Sequence, residues 1–158
     1  MLKRSHALIG AAAGVTVAHV LHEPLVAGGI VGGLAGVISD GDHPQSFVGR
    51  MLPAWFHRLT PGHRGQSHSL AFVALVAGLC WWLGFPLLAL LAGVGVTSHL
   101  LGDAATEAGI PWAWPISKRR MALPRLLAIK TGGAAEVVVV VGVLALTALY
   151  LTGGNIRP

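Results

Sequence analysis

Five apolar segments, separated by polar stretches, constrain the fold of this 158-residue chain more than any other feature. Each is close to or below the roughly 20 residues that a helix needs to cross a bilayer. Soluble domains carry about 25% charged residues, whereas this chain has 11% charged and 54% hydrophobic residues. We therefore expect an all-α integral membrane bundle of four to five apolar helices, forming a single domain over residues 1–158. The segments are His6–Leu21, Leu25–Ile38, His68–Leu83, Pro86–Leu101 and Ala134–Leu151.

The second segment is the weakest of the five, because it is short and rich in glycine. Gly28, Gly32 and Gly36 recur every four residues, which is typical of a helix face that packs closely against another helix. A flexible or re-entrant segment is the alternative. Lys3 and Arg4 before the first apolar run resemble a signal peptide, but no small-residue cleavage site follows, so we expect a retained first helix.

The distribution of positive charge predicts the orientation. With the N-terminus in the cytoplasm and all five segments crossing, ten of the eleven Lys and Arg residues lie inside, as the positive-inside rule requires. Because no basic helix is interleaved with aromatic residues, we expect no nucleic-acid partner. The expected partners are membrane lipids, with anionic headgroups at the loop that contains Lys118, Arg119 and Arg120.

Polar residues that are rare elsewhere in the chain gather at the cytoplasmic ends of these segments. Such residues at the border of apolar segments are costly and usually functional, and mixed imidazole and carboxylate ligands suit zinc or manganese. His19 and His22 belong to the opposite interface, because sixteen helical residues separate His22 from His6 by about 24 Å. The predicted metal ligands are His6, Asp40, Asp42, His63, His68, His99 and Asp103.

The spacing within each cluster suggests how its ligands are presented. His99 and Asp103 are four residues apart, so both lie on one helix face; a hydrogen-bonded pair at a helix end is the alternative. We expect Ser67 to be a helix N-cap and His68 to lie in the first turn, where the helix dipole favours neutral imidazole.

Asp40, Asp42 and Arg64 are the candidate catalytic residues. Two carboxylates separated by one residue suit bridging or adjacent metal coordination, and one of them is a candidate general base. A solvated turn at a helix end is the alternative. Arg64 is a candidate ligand for a phosphate oxygen or an oxyanion, against the alternative of an ordinary positive charge in a cytoplasmic loop.

Seven ligands exceed the four of a tetrahedral zinc site. We therefore expect two or three divalent ions, zinc or alternatively manganese, that lower the pKa of bound water to about 7.

The ordered motifs of residues 5–116 resemble those of the YdjM-like, membrane-bound, metal-dependent hydrolases, also called LexA-binding, inner membrane-associated hydrolases. That name refers to control of the gene and does not imply that the protein binds DNA. The family pattern commonly reads Pro-Asp-Ile-Asp and His-Arg-Gly-Ile-Thr-His, from which Ser39, Gly41, Gln66 and Ser67 depart while the expected ligands are kept. The motifs that carry the resemblance are Ser5-His6, Asp40-Gly-Asp42-His-Pro-Gln-Ser46, His63-Arg-Gly-Gln-Ser-His68-Ser69 and His99-Leu-Leu-Gly-Asp103, followed by Gly109 and Trp114-Pro115.

The resemblance implies an inner-membrane hydrolase. The ligand set is also distantly similar to that of bacterial zinc-dependent phospholipases C, all-α enzymes with a trinuclear zinc cluster, and this analogy favours a phospholipid or other lipid-linked phosphoester as substrate. Two other classes remain open. A metal-ion transporter or sensor predicts polar ligands at mid-membrane depth, and a small structural membrane protein predicts interfacial histidines that bind no metal.

Overall fold

The chain is all-α in the computed structural model, which describes residues 1–46, 48–53, 64–124 and 126–153. Within these ranges the only extended pairings are two isolated β-bridges, so the all-α part of the predicted fold class is confirmed. Three short 3₁₀-helices, Ser39–Asp42, Gly49–Met51 and Gln66–His68, connect the longer elements. The five α-helices are α1 (Lys3–Val20), α2 (Leu25–Ile38), α3 (Leu70–Trp82), α4 (Pro86–Ala104) and α5 (Ala134–Gly153).

The start of α3 differs from the sequence expectation. Ser69, not Ser67, is the N-cap: its hydroxyl accepts a hydrogen bond from the amide of Phe72 at 3.3 Å. His68 therefore lies in the preceding 3₁₀-helix rather than in the first turn of α3. Ser67 instead donates to Asp42 at 2.7 Å, because a second serine two positions later is available to cap the helix.

The glycine face of α2 packs against α1, as its spacing predicts. A Cβ placed on Gly28 would meet the carbonyl oxygen of Gly14 at 2.5 Å, and one placed on Gly36 would meet the carbonyl oxygen of His6 at 2.6 Å. Any side chain at these positions would push the two backbones apart. The contact is the most extensive one between helices of the described chain, and it brings the start of α1 beside the end of α2.

Helix α4 occupies the centre of the bundle, where it packs against α1, α2 and α3. Gly95 lets it approach α2: a Cβ there would meet the carbonyl oxygen of Gly32 at 2.5 Å. The apolar core of the described residues lies around this helix, and its buried members are Ala35, Ala92, Val96, Leu100 and Ile110.

Helix α5 packs on α1 and is fastened at its first turn by a buried carboxylate. Glu136, which is 1% exposed, accepts hydrogen bonds from the amide of Leu2 (2.7 Å), the hydroxyl of Ser5 (2.5 Å) and the amide of Gly132 (2.7 Å). The rest of the helix presents valines and leucines outward. The carboxylate of Glu136 thus links the N-terminal ends of α1 and α5 through two hydrogen bonds.

Three stretches of the described chain are long and apolar enough to cross a membrane: residues 25–42, 86–104 and 134–153. Helix α3, with 13 residues, is about 20 Å long, which is shorter than the roughly 30 Å hydrocarbon core. Helix α1 contains Lys3 and Arg4 and does not meet the same criteria. That all five segments cross the bilayer stays a prediction.

Candidate metal site

Five buried histidine and aspartate side chains meet at one end of the bundle. They come from four separate parts of the chain: the first turn of α1, the 3₁₀-helix after α2, the 3₁₀-helix before α3 and the last two turns of α4. Each of these elements begins or ends at the same end of the bundle, so the alternation of helix direction is what gathers them. The side chains are those of His6, Asp40, His68, His99 and Asp103.

Four donor atoms among these residues form a small cage: Nε2 of His68, Nε2 of His99, Oδ1 of Asp40 and Oδ2 of Asp103. The two nitrogens are 3.1 Å apart. His68 lies 3.9 Å from Asp40 and 3.5 Å from Asp103, and His99 lies 3.8 Å and 3.7 Å from the same oxygens. Ligands at 2.0–2.1 Å from a tetrahedral zinc are separated by about 3.3–3.4 Å. The separations between the two nitrogens and from each nitrogen to the two oxygens, 3.1–3.9 Å, are therefore close to those between the ligands of a zinc ion.

Hydrogen bonds outside the cage orient both imidazoles. Nδ1 of His99 lies 2.8 Å from the carbonyl oxygen of Gly36 and must donate to it, which leaves Nε2 as a lone-pair atom in the neutral ring. Nδ1 of His68 lies 2.9 Å from the hydroxyl of Ser67, which itself donates to Asp42. Two Nε2 atoms thus face each other at 3.1 Å, an arrangement that only a proton or a cation between them stabilises. Metal-binding histidines are typically held in this way.

Asp42 supports the cage from outside it. Its Oδ2 accepts hydrogen bonds from Ser67 (2.7 Å) and the amide of Arg64 (3.1 Å), and lies 3.4 Å from Nδ1 of His68. Burial lowers the pKa of the His68 imidazole, but hydrogen bonds to Asp103 and Asp42 outweigh it and raise that pKa above the ordinary 6.5. His68 lies outside the first turn of α3, so neighbouring carboxylates rather than a helix dipole shift its pKa.

His6 and Asp103 define a second group with His99. Nε2 of His6 lies 3.2 Å from Oδ1 of Asp103, and the His6 ring stacks on His99 with centroids 3.7 Å apart. Nδ1 of His6 is buried and has no hydrogen-bond partner among the described residues. Two buried groups that can hold a metal ion result, His6–His99–Asp103 and Asp40–His68–His99. They share His99, whose Nδ1 is already engaged.

Arg64 connects the site to its surroundings. Its guanidinium donates to Oδ1 of Asp103 (2.9 Å) and to the hydroxyl of Thr106 (3.1 Å). The α-amino group of Met1 donates to the same Asp103 oxygen at 2.5 Å. The backbone of Arg64 has a φ of 61°, a conformation that is uncommon for residues other than glycine and that often accompanies function.

The site contains most of the predicted ligands but arranges them in two layers. Asp40, His68, His99 and Asp103 line the cage, and His6 lies beside it. Asp42 contacts His68 from behind and belongs to neither group that can hold a metal. His63 lies outside the described residues. His19 lies at the other end of α1, with its ring edge-on to Tyr150 at 5.6 Å.

Three supporting residues were missed at the sequence level: Gly36, Thr106 and Glu136. A weak signal existed for Glu136, since it is a lone carboxylate beside an apolar run. No signal existed for the carbonyl of Gly36, because every residue has a backbone carbonyl and its role as an acceptor has no signature in the sequence.

The fold and the site define an all-α inner-membrane protein with a buried histidine and aspartate cluster that can bind metal. The chain belongs to the YdjM inner membrane protein family, whose model matches residues 1–156.

Similar proteins occur in three bacteria. The inner membrane protein YdjM of Escherichia coli and that of Shigella flexneri are each 39% identical over 102 residues, covering 58% of this chain and 50% of the relative. This chain thus spans about half the length of these two relatives. The Bacillus subtilis protein YvsG is 35% identical over 130 residues, covering 80% of this chain and 77% of that protein. No solved structure matches the chain.

Proposed function

We propose that this protein is a metal-dependent hydrolase that cleaves the phosphoester of a phospholipid or another lipid-linked substrate at the cytoplasmic leaflet. The observation that carries the proposal is the cage of His68, His99, Asp40 and Asp103, in which the two imidazole Nε2 atoms lie 3.1 Å apart. Two nitrogen and two oxygen donors at this spacing suit zinc, with manganese as the alternative.

Asp40, His68 and His99 provide three donor atoms for one ion in the cage. We propose Asp103 as the fourth, because its Oδ2 lies 3.5 Å and 3.7 Å from the two Nε2 atoms.

A second ion would use His6 and Oδ1 of Asp103, and His63 remains a proposed ligand for it. At this second position, the guanidinium of Arg64 and the α-amino group of Met1 already neutralise Asp103. Because two cations repel, the second ion requires Arg64 to release that oxygen. We therefore propose one ion in the cage and a more weakly held second ion.

A bound divalent ion supplies Lewis acidity and lowers the pKa of water to about 7. Asp42 both orients His68 and lines the apolar groove beside the site, so we assign it the role of general base. Arg64 lies on the other side of Asp103 and is placed to stabilise negative charge on a phosphoryl group.

A lipid substrate is supported by the shape of the surface next to Asp42. A groove of about 540 Å³ extends from Asp42 and Ser67 along one face of α3, where Phe72, Leu75 and Leu79 line it. Seven helical residues span about 10 Å. The groove therefore offers an apolar surface for part of an acyl chain and a carboxylate at one end.

The depth of the ligands separates this proposal from a transporter. Asp40 and His68 lie just outside α2 and α3, and Asp103 is in the last turn of α4. A transport site is expected nearer the bilayer midplane. Placement at helix ends supports chemistry at the membrane surface.

The test uses the full chain in lipid nanodiscs and follows release of phosphate-containing products and diacylglycerol. Chelation should abolish release, and zinc or manganese should restore it. Asp40→Asn should be inactive, whereas His22→Asn, at the opposite end and with a left-handed backbone that Asn tolerates, should match the unaltered protein. If the protein leaves phosphoesters intact but carries metal ions into liposomes, it is a transporter and not a hydrolase.

A further inference from the structure

We infer that a cation-lined pocket beside the metal site binds a phosphate group, and this inference rests on the proposed function by giving the substrate phosphate a place. The pocket has a volume of about 490 Å³, within the range of ordinary ligand sites. Its principal lining residues are Arg64, Thr106, Glu107, Arg120, Lys130 and Thr131.

Backbone pairing in the loop of residues 105–133 assembles this pocket. Ile110 and Met121 exchange two hydrogen bonds of 3.1 and 3.0 Å, which places Arg120 beside the turn after α4. The amide of Ile129 donates to the carbonyl of Ala105 at 2.8 Å, which brings Lys130 to the same place. The two cations are ten residues apart in the sequence but line one pocket.

A tight turn at Gly109 makes this pairing possible. Its φ is 59°, and a Cβ there would lie 2.6 Å from the carbonyl oxygen of Met121. Only glycine combines this backbone conformation with such a close approach. The pocket is therefore built by specific backbone geometry and does not result from charges scattered on a mobile loop.

The charges and hydroxyls of the pocket match a phosphate. Arg120 and Lys130 contribute two positive charges against the single negative charge of Glu107, and Arg64 adds a guanidinium whose charge is shared with Asp103. Guanidinium groups bind phosphate through paired, charge-assisted hydrogen bonds. Thr131 adds a hydroxyl group to the lining. The hydroxyl of Thr106 donates to the carbonyl of Asp103 at 2.7 Å and accepts from Arg64 at 3.1 Å, so it holds Arg64 in place.

Arg64 joins the pocket to the metal site. The same guanidinium contacts Thr106 in the pocket wall and Asp103 in the cage. A phosphate bound in the pocket is thus separated from the cage by one side chain. Lys118 and Arg119, although adjacent in sequence to Arg120, do not line the pocket. The anion site therefore consists of Arg64, Arg120 and Lys130, and not of the consecutive residues Lys118, Arg119 and Arg120.

The experiment measures binding without turnover. Inorganic phosphate is titrated into the detergent-solubilised full chain, and nanodiscs containing phosphatidic acid are compared with nanodiscs of phosphatidylcholine alone. Metal content is determined in the same samples. The variants are Arg120→Gln and Lys130→Gln, with Lys118→Gln and Arg119→Gln as controls of equal charge change, and Glu107→Gln as a variant of opposite expected effect.

Arg120→Gln and Lys130→Gln should each weaken phosphate binding by about tenfold or more, as loss of a charge-assisted hydrogen bond implies. The control variants should change it little, and Glu107→Gln should strengthen it. If the protein binds phosphatidic acid in nanodiscs but not free phosphate, the ligand is a lipid headgroup. If it binds both, the pocket is a general phosphate site.

Equal weakening by the control variants would overturn the inference, because net charge would then explain the binding. Failure of the unaltered chain to bind either phosphate source would also overturn it. Metal content distinguishes this failure from failure of the proposed function: a chain that binds metal but no phosphate refutes the pocket alone. A chain that binds phosphate but no metal refutes the metal-dependent hydrolase alone.

Discussion

Nδ1 of His99 donates to the carbonyl oxygen of Gly36 across the interface between α4 and α2, at a distance of 2.8 Å. Gly36 also touches the backbone of α1, where a Cβ would meet the carbonyl oxygen of His6 at 2.6 Å. One glycine thus sets the spacing of three helices and the ring orientation of a cage histidine.

Gly36→Ala should therefore damage both the fold and the site. We expect destabilisation of about 1–3 kcal/mol from overpacking, with reduced metal content because the added Cβ pushes α2 away from α1 and so displaces the backbone carbonyl of residue 36 that orients His99. Thermal unfolding and elemental analysis in detergent measure the two effects. Gly142→Ala, in α5, is the matched control and should retain stability and metal, because its added Cβ would meet no described atom within 4 Å apart from the backbone of its own helix.

His68→Ala or His99→Ala should lower metal affinity by more than tenfold, because loss of a supporting group alone costs 10–100-fold and these residues provide the donor atoms. Equilibrium dialysis followed by elemental analysis measures the effect. His22→Asn should bind metal normally. Retention of metal by both alanine variants would show that the cage is not the binding site.

Asp40→Asn and Asp42→Asn distinguish a cage ligand from a supporting carboxylate. Asp40 lies 3.8–3.9 Å from both Nε2 atoms, whereas Asp42 lies 3.4 Å from Nδ1 of His68. We expect Asp40→Asn to remove most of the metal and Asp42→Asn to weaken binding by roughly 10–100-fold. Metal titrations of the two variants provide the comparison. Equal loss in both would place Asp42 among the ligands.

Glu136→Gln should loosen the attachment of α5 to α1. The carboxylate accepts three hydrogen bonds, two of them from Leu2 and Ser5 next to His6. Loss of the charge should destabilise the protein by about 1–3 kcal/mol, measured by thermal unfolding. Glu23→Gln, an exposed carboxylate at the other end of the bundle, is the control. Unchanged stability of Glu136→Gln would contradict the proposed attachment.

The predicted orientation can be tested with single cysteines in a Cys80→Ala background. Lys118→Cys should be protected from a membrane-impermeant maleimide applied from outside, because Lys118 lies in the loop at the metal-site end. Glu23→Cys, in the turn between α1 and α2, should be labelled. The reverse pattern would place the metal site on the outer face.

Helix bounds could be predicted closely because an apolar run and the residues that end it are both visible in one short stretch of sequence. The expected segment Leu25–Ile38 coincides with α2, and Pro86 begins α4 as a proline at the first helical position favours. The expected first segment began at His6, three residues later than α1, since polar residues in a first turn carry no hydrophobic signal.

Which residues line the cage and which support it from outside could not be predicted, since this depends on how the helices pack. Asp40 and Asp42 are equivalent in sequence, yet the 3₁₀-helix turns one toward the cage and the other toward Ser67. The charge of His68 likewise depends on carboxylates that the fold brings near it. Spacing identifies which residue types gather at one end, and only packing decides their roles.

Asp103 contacts groups from widely separated parts of the chain: His6, Arg64 and His68. During synthesis His6 emerges first, and it remains without its carboxylate partner until about a hundred further residues have been added. No intermediate with only the first three helices contains the cage. If the cage holds a metal ion, as we propose, that ion can bind only after α4 has joined the other helices.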